Sequence, residues 1–172
     1  TNSELTVTLG VSGKGGSRWK GWSVVRGGLG TGTLPGGPDL ILMDRTSGEA
    51  WHPFPDPLAD PEEDQEVVLA PHRAEYMRKT RGMRARMTVV VSPEPTVEVR
   101  RLSFWNESTV ARRLRFAISA EIALAPVEDD LRHPAFHKLF VRAEALPGGE
   151  GLLFERRRRK PEESPPVVLI SL

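Results

Sequence analysis

The sequence predicts an all-β fold, an antiparallel β-sandwich, and two observations lead to this prediction. The first is a period of two along residues 110–124, where apolar side chains alternate with arginines and small or polar residues. Such alternation is typical of a strand with one buried side and one solvent-facing side. The second is that short turn sequences join the candidate strands, with no convincing helical period between them. Together they favour a sandwich or barrel.

The same period of two and the positions of turn residues define further candidate strands. In the first half of the chain we expect strands at residues 4–11, 19–25, 40–44, 49–52, 66–70, 73–80 and 83–91. In the second half we expect them around residues 97–104 and at 110–124, 138–144, 151–157 and 167–172. Val97 and Val99 have one parity whereas Leu102 and Phe104 have the other, which predicts a β-bulge near residues 100–101.

Turn chemistry connects these strands. Gly82 follows Arg81 between two of them, and glycine accepts the positive φ that a tight hairpin needs. Two longer segments, 27–38 and 53–64, are rich in glycine or in proline and acids. We expect both to be surface loops outside any sheet interior. The chain is therefore expected to form a single β-sandwich domain over residues 1–172.

Composition excludes several classes of protein. The chain has 172 residues with 24 Lys and Arg, 23 Asp and Glu, a net charge of +1 and no Cys. The lack of cysteine excludes a disulfide framework and a thiol nucleophile, and the near-neutral charge argues against a nucleic-acid-binding surface. No apolar run approaches the roughly 18 residues that span a bilayer. Because the chain begins at Thr1 and stops inside the apolar stretch 167–172, we expect it to be a fragment of a larger multidomain enzyme.

No motif for catalysis or metal binding stands out. His133 and His137 are four residues apart, but Pro134 discourages a helix that would align their rings, and the HExxH pattern is absent. The acidic residues cluster as neighbours, for instance at 129–130, and adjacent carboxylates cannot flank one glycosidic bond from opposite sides. No GxSxG nucleophile motif occurs. The sequence therefore predicts no catalytic residue, no metal and no cofactor for this chain.

Two groups of residues invite a binding interpretation. The basic run at 156–160 is neutralised by nearby glutamates, so we expect a solvated strand end rather than a nucleic-acid surface. Trp19 and Trp22 are three residues apart and would face opposite sides of a strand. One of them could pack in the core while the other stacks on a ligand; the alternative is that all four tryptophans are core residues.

Several segments together resemble a known family. The first matching segment is residues 15–19 (GGSRW), and residues 44–51 match the pattern D-x-x-S-G-E-x-W. Residues 133–141 (HPAFHKLFV) are close to the pattern HPAFxKLFV, and 156–165 to the polar stretch that follows. In this order they resemble the β-supersandwich domain of cyclic β-1,2-glucan synthases and of the related glycoside hydrolase family 94. The resemblance implies a galactose mutarotase-like sandwich, truncated at the C-terminus.

The resemblance implies a non-catalytic function for this domain. In that family the phosphorylase-type chemistry belongs to a following (α/α)6 barrel and polymerisation to a separate glycosyltransferase region. The implied role is a carbohydrate-binding and structural module that contacts β-glucan and supports the barrel. Carbohydrate contacts are expected at Arg18, Trp19, His137 and Lys138. The implied location is a cytoplasmic domain of a parent enzyme in the bacterial inner membrane, with no contact between this domain and the membrane or nucleic acid.

Two alternatives stay open. One is a purely structural docking or dimerisation domain without autonomous sugar binding, which predicts a contiguous exposed apolar patch or strand edge. The other is an independent mutarotase-like epimerase, which requires His133, His137 and an acid such as Glu121 to converge in one pocket.

Overall fold

The computed structural model describes residues 1–27, 36–56, 58–59, 63–94 and 96–172. In order, the strands are β1 (Leu5–Leu9), β2 (Gly15–Trp19), β3 (Trp22–Val25), β4 (Asp39–Asp44), β5 (Ala50–Trp51), β6 (Gln65–Ala70), β7 (Arg73–Thr80), β8 (Met83–Val91), β9 (Glu98–Asn106), β10 (Leu114–Ser119), β11 (Ile122–Pro126), β12 (Val141–Ala145), β13 (Gly151–Arg156) and β14 (Val168–Ser171). Two short helices, α1 (Val127–Arg132) and α2 (Pro134–Lys138), follow β11, and a 3₁₀ turn covers Pro147–Gly149.

The described strands form four antiparallel sheets, which confirms the predicted all-β class. Their orders are β1-β2-β3-β11, β10-β4-β5, β6-β7-β8-β9 and β12-β13-β14. Most strands that pair in a sheet are consecutive in the chain, as expected for hairpin connections. Neither helix in the described ranges is long and apolar enough to cross a bilayer.

The main core lies between the four-stranded sheet β6–β9 and the small sheet of β4, β5 and β10. Its buried side chains are Leu40, Leu42, Trp51, Phe54, Ala74, Tyr76, Met83, Ala85, Met87 and Val89. Tyr76 is fully buried, and its hydroxyl donates to the Gly10 carbonyl at 3.1 Å, so the ring's one polar atom is satisfied. The alternating residues of β7 and β8 thus fill the core as their period predicts.

The loop predictions have a mixed outcome. Residues 28–35 of the glycine-rich segment 27–38, and residues 57 and 60–62 of segment 53–64, lie outside the described residues. The described part of segment 53–64 corrects the expectation that it stays away from the sheet interior. Phe54 belongs to the core cluster, and its carbonyl accepts a hydrogen bond from the buried Arg78 at 3.1 Å. The beginning of this connection therefore packs into the core between the sheets.

The predicted bulge near residues 100–101 is wrong. The pairing of β8 with β9 runs without interruption from Met83 opposite Asn106 to Val91 opposite Glu98. The change of apolar parity has another cause, since the inward positions include Glu98 and Arg100 besides Leu102 and Phe104. Val99 and Trp105 therefore point outward, where both are 46% exposed.

The predicted strand 110–124 is two strands in two different sheets. Its first part, β10, pairs with β4, and its second part, β11, pairs with β3. The chain changes sheet at Ala120 and Glu121, and Leu124 has a φ of +46° within an irregular pairing of β11. Residues 122–125 are all buried, so their alternation does not reflect a solvated face. A continuous period of two cannot reveal this transfer because the apolar parity is kept across it.

Two other boundaries differ from the prediction. The expected strand 19–25 is a hairpin of β2 and β3, turned by Lys20 and Gly21 with φ of +44° and +81°. The expected strand 138–144 starts only at Val141, because residues 134–138 form α2. Pro134 does not oppose this helix: it occupies a first-turn position, where a backbone N–H would have no intrahelical partner.

The predicted hairpin at Arg81 and Gly82 is confirmed, with φ of +52° and +70°. A Cβ on Gly82 would lie 3.1 Å from the Ser108 Cβ, whereas a Cβ on Gly21 would have no heavy atom within 4 Å.

We expect Gly21→Ala to cost about 1 kcal/mol through its left-handed backbone alone. Gly82→Ala should cost more, about 2 kcal/mol, because Ser108 must also move. Urea unfolding of both variants measures the difference in the free energy of unfolding. Equal losses of stability would contradict the contribution of the clash with Ser108.

Candidate functional site

A large cleft of about 1120 Å³ lies between the sheets. Its walls come from β2, β3, β4, β9 and β10, with residues 166–172 along one side. Most of the lining is apolar, including Val24, Leu40, Phe116, Ile118 and Leu169. An apolar concavity with a few fixed polar groups is the usual form of a binding site for a small organic ligand.

One set of polar groups in the cleft centres on Asp39, the first residue of β4. Its carboxylate lies 2.9 Å from the Lys14 ammonium and 3.1 Å from the Nδ1 of His52. Sheet pairing and the loop after β5 bring these residues together from three separate parts of the chain. They present an ammonium, a carboxylate and an imidazole side by side.

A second polar set comes from the inward face of β9. Arg100 contacts Glu98 at 2.5 Å and donates a hydrogen bond to the Gly13 carbonyl at 2.9 Å. The guanidinium is therefore held by both a side chain and the backbone, which fixes its direction before any ligand binds. Charged donors fixed in this way give strong hydrogen bonds to hydroxyl and carboxylate oxygens.

Trp19, a predicted carbohydrate contact, lines this cleft. Its indole N–H donates to Glu4 at 3.3 Å, and the Lys20 ammonium lies 5.0 Å from the centre of its ring. Lys20 also bonds to Glu4, and this contact, followed by that of Trp19, lowers the pKa of the Glu4 carboxyl. The tryptophan is thus oriented by an ion pair at the edge of the cleft.

Arg18, the second predicted contact, points the other way because neighbouring residues of a strand alternate. It borders a shallower pocket shared with Thr6, Lys20 and the residues at the start of α1. The structure therefore does not bring Arg18 and Trp19 onto the same surface of β2.

His137 and Lys138, the other two predicted contacts, lie on α2 and line neither pocket. His137 is 2% exposed, and its Nδ1 lies 3.2 Å from Nη2 of Arg156. Lys138 is exposed and bonds to Glu121. The four predicted residues are therefore spread over three places, and the ring of His137 faces an arginine, not the acid of an epimerase pair.

An ion-pair network anchors the two helices to the sheets. Arg26 contacts both carboxylate oxygens of Asp130, one of them at 3.2 Å, and also bonds to Glu121. Its guanidinium donates a further hydrogen bond to the Pro134 carbonyl at 3.3 Å. The hydrogen bond to Asp130 is the main cause that raises the pKa of Arg26. The hydrogen bond from Lys138 is the main cause that lowers the pKa of Glu121. These charges therefore serve to hold β3, β11, α1 and α2 together.

The basic run 156–160 departs from the expected solvated strand end at its first residue, whereas residues 157–160 are exposed. Arg156 is 5% exposed, and its guanidinium carbon lies 5.1 Å from the ring centre of Phe140. Arg157 and Arg159 also lie over Phe140, and Arg159 over Phe136. The arginines cover two aromatic rings spaced four residues apart, a cation–π cluster that the spacing of the two phenylalanines could have indicated.

The remaining polar groups of the cleft had no signal in the sequence. Lys14, Asp39, His52, Glu98 and Arg100 form no motif, and only the sheet arrangement brings them near one another. The described residues contain no group of three or more His, Cys, Asp or Glu side chains arranged to hold a metal ion.

Comparison with known proteins agrees with the resemblance read from the motifs. A family model described as "Glycosyl hydrolase 94, supersandwich domain" matches residues 1–172. The chain is also similar to the cyclic beta-(1,2)-glucan synthase NdvB of Rhizobium meliloti (strain 1021), with 28% identity over 161 residues. The alignment covers 94% of this chain but only 6% of that synthase.

The anchoring network makes a testable contribution to stability. Asp130 is 5% exposed and pairs with Arg26, so Asp130→Asn leaves a largely buried guanidinium with Glu121 as its one remaining countercharge among the described residues. We expect a loss of about 2–3 kcal/mol in the free energy of unfolding, measured in urea. Glu128→Gln is the control, since Glu128 lies on the same helix, is 84% exposed, and contacts Arg132 only at 3.7 Å. It should change stability by less than about 0.5 kcal/mol; similar losses in both variants would contradict the assignment.

The buried His137 predicts a pH dependence. Burial, and then Arg156, lower its pKa below the ordinary 6.5, with Arg159 adding to this and Asp129 and Asp130 opposing it. Below pH 6.5 the unfolded chain takes up a proton that the folded chain resists, so stability falls as the pH decreases. His137→Asn keeps an acceptor near the Nδ1 position but does not titrate.

We therefore expect the Asn variant to lose less stability than the parent between pH 7 and pH 5, as measured by urea unfolding at each pH. His133→Asn removes an exposed imidazole four residues away and serves as the matched control. Parallel pH curves for the parent and His137→Asn would contradict the prediction.

Proposed function

Since the chain belongs to the supersandwich domain family of glycosyl hydrolase 94, we propose that it is a non-catalytic module of a larger glucan-synthesising enzyme. In this proposal residues 1–172 form one module that contacts a glucan chain in the cleft and supports a neighbouring catalytic barrel. The observation that carries the proposal is the cleft itself, which is lined by Trp19, an apolar wall and the fixed polar groups of Asp39 and Arg100.

The chemistry of the cleft suits a neutral saccharide. A pyranose ring has apolar C–H surfaces, which pack on aromatic and aliphatic side chains, and hydroxyls, which need both donors and acceptors. The apolar wall offers the first kind of contact. Lys14, Asp39 and Arg100 offer the second, and their mutual pairing leaves little uncompensated charge to repel a neutral ligand.

The acids whose pKa values are shifted lack the property of a general acid. A glycosidase-type general acid must hold a proton near neutral pH, which requires a raised pKa. In the described ranges the carboxyl groups with a resolved shift are Glu4, Glu75, Glu107 and Glu121, and each has its pKa lowered by a neighbouring cation. Such groups stay ionised and act as hydrogen-bond acceptors and ion-pair partners.

The relative suggests the class of glucan. NdvB is named as a cyclic beta-(1,2)-glucan synthase, so the ligand proposed here is a β-1,2-linked glucan. Because the chain spans about 6% of that protein, polymerisation and any phosphorylase-type step are proposed to belong to other parts of the parent enzyme. The cytoplasmic placement and the inner-membrane parent stay predictions.

A second candidate function is docking to another domain without sugar binding. Apolar side chains along β10 and the C-terminal strand are exposed and border the same cleft: Phe116 at 47%, Ile118 at 41%, Leu169 at 56% and Leu172 at 84%. Exposed apolar side chains around one cleft support the docking alternative, which predicts an apolar patch. Under it, the cleft would be filled by protein side chains.

A titration with linear β-1,2-glucooligosaccharides distinguishes the two candidates. We expect saturable quenching of tryptophan fluorescence at millimolar sugar, and about a two- to tenfold weaker affinity in Trp19→Ala because a stacking contact is lost. Arg18→Ala is the matched control, since Arg18 lies on the opposite face of the same strand.

Absence of binding to the folded parent chain would remove the glucan-contact proposal and favour docking. Docking predicts instead that the isolated chain self-associates and that Leu169→Glu makes it monomeric in sedimentation experiments. An unchanged affinity in Trp19→Ala, with binding intact, would place the sugar elsewhere than in the cleft.

A further inference from the structure

We propose that the outer face of the β6–β9 sheet is a second saccharide-binding surface, centred on Trp105 and separate from the cleft. The inference rests on the proposed function in one respect, since it takes the ligand to be a β-glucan. The surface is defined by Trp105 and Ser103 on β9 together with Arg84 and Arg86 on β8.

Trp105 differs from the other tryptophans in its surroundings. It is 46% exposed, whereas Trp51 is 7% exposed and Trp19 and Trp22 are intermediate. Lys20 lies over the ring of Trp19 and Arg81 over that of Trp51, but in the described part of the chain no cation or aromatic ring covers Trp105. A large apolar ring is thus left open to solvent on a sheet, where burying it against a ligand is favourable.

Two ion-pair clusters frame this ring with oriented polar groups. Glu107 lies 2.7 Å from Lys79 and 2.6 Å from Arg84. Glu75 lies 2.8 Å from Arg73 and 2.6 Å from Arg86. Each acid is held between two cations, and these contacts lower the pKa of both carboxyl groups, so they remain ionised acceptors. The polar groups are therefore held in place before a ligand arrives.

The register of the sheet places these groups in rows beside the ring. Arg84 is directly opposite Trp105, and Arg86 is opposite Ser103. Ser103 lies two residues along β9 from Trp105, roughly 7 Å away on the same face. A sugar stacked on the indole would have Arg84 and Glu107 at its side, and the next sugar along the strand would meet Ser103 and Arg86.

The charges favour a saccharide over a protein partner. The centre of a protein–protein interface is depleted in charged residues, because burying them costs free energy. Here the ring is surrounded by half-exposed cations, with side chains of Lys79, Arg84 and Arg86 at 45–48% exposure. A glucan can hydrogen-bond to these groups while water still reaches them, and its neutrality matches a face whose acids and bases pair with each other.

This surface and the cleft lie on opposite sides of β9. Glu98, Arg100 and Leu102 line the cleft, whereas Trp105 points away from it. Substitutions at the two places should therefore act independently. Two weak contacts to one polymer would raise its overall affinity through the effective concentration of the second contact, provided the chain can reach both faces.

The four tryptophan indole N–H signals in a ¹⁵N NMR spectrum test this proposal on the whole chain. The probe is a linear β-1,2-linked glucooligosaccharide, and each signal is assigned by a single Trp→Phe substitution. We expect saturable shifts of the Trp105 signal in the parent and in Trp19→Ala. In Trp105→Ala, affinity measured on backbone amides of β8 and β9 should fall about two- to tenfold, with Trp105→Phe retaining part of it.

Val99→Ala is the matched control, because Val99 lies outward on the same strand with the same exposure but offers no aromatic ring. Unfolding curves verify that each variant is folded. Shifts confined to the Trp19 signal would overturn the Trp105 surface and leave the cleft proposal standing. Shifts of neither signal would overturn both, and a dimer that Trp105→Ala dissolves would assign this face to self-association.

Discussion

Arg26 is the contact on which the arrangement of sheets and helices depends. Its backbone N–H donates to the Glu121 carbonyl at 2.8 Å, at the point where the chain leaves one sheet for another. Its guanidinium, with only 17% of the side chain exposed, joins the same residue to Asp130 on α1 and to the start of α2. One side chain thereby fixes the sheet change and both helices, so the wall of the cleft formed by β3 and β10 depends on it.

This network also separates structural charges from those available to a ligand. Glu121 and Lys138 pair with each other, and His137 accepts from the buried Arg156, so the polar groups of α2 are engaged within the protein. Among the cleft pairs, Lys14–Asp39 and Arg100–Glu98 are also largely buried, with side chains 16–22% exposed. The pair of His52 with Asp39 differs, because the His52 side chain is 46% exposed. A ligand hydroxyl can join such a pair without breaking the fold, whereas it cannot displace Arg26 from Asp130.

The sequence predicts best what depends on near neighbours. The hairpin of β7 and β8 follows from alternation on both sides of Gly82, and the family motifs identify the supersandwich. The sheet change at Glu121 could not be predicted, because the alternation continues through it, and Arg26 has no neighbour in sequence that reveals its partners. The cleft could not be predicted for the same reason: Lys14, Asp39 and His52 meet only when two sheets pack together. Among the residues that line it, the sequence predicts only Trp19 as a contact.

β9 connects these points, because it carries different chemistry on its two faces. A strand that only closes a core would place apolar residues inward and polar residues outward. Here Glu98 and Arg100 point inward, while Val99 and Trp105 point outward. The inward charges are tolerated because Arg100 pairs with Glu98 and with the Gly13 carbonyl, and the open indole on the outer side gains nothing for folding alone. Because the pairing with β8 is regular throughout, no bulge explains this inversion, whereas the binding that we propose on both faces would give it a physical reason.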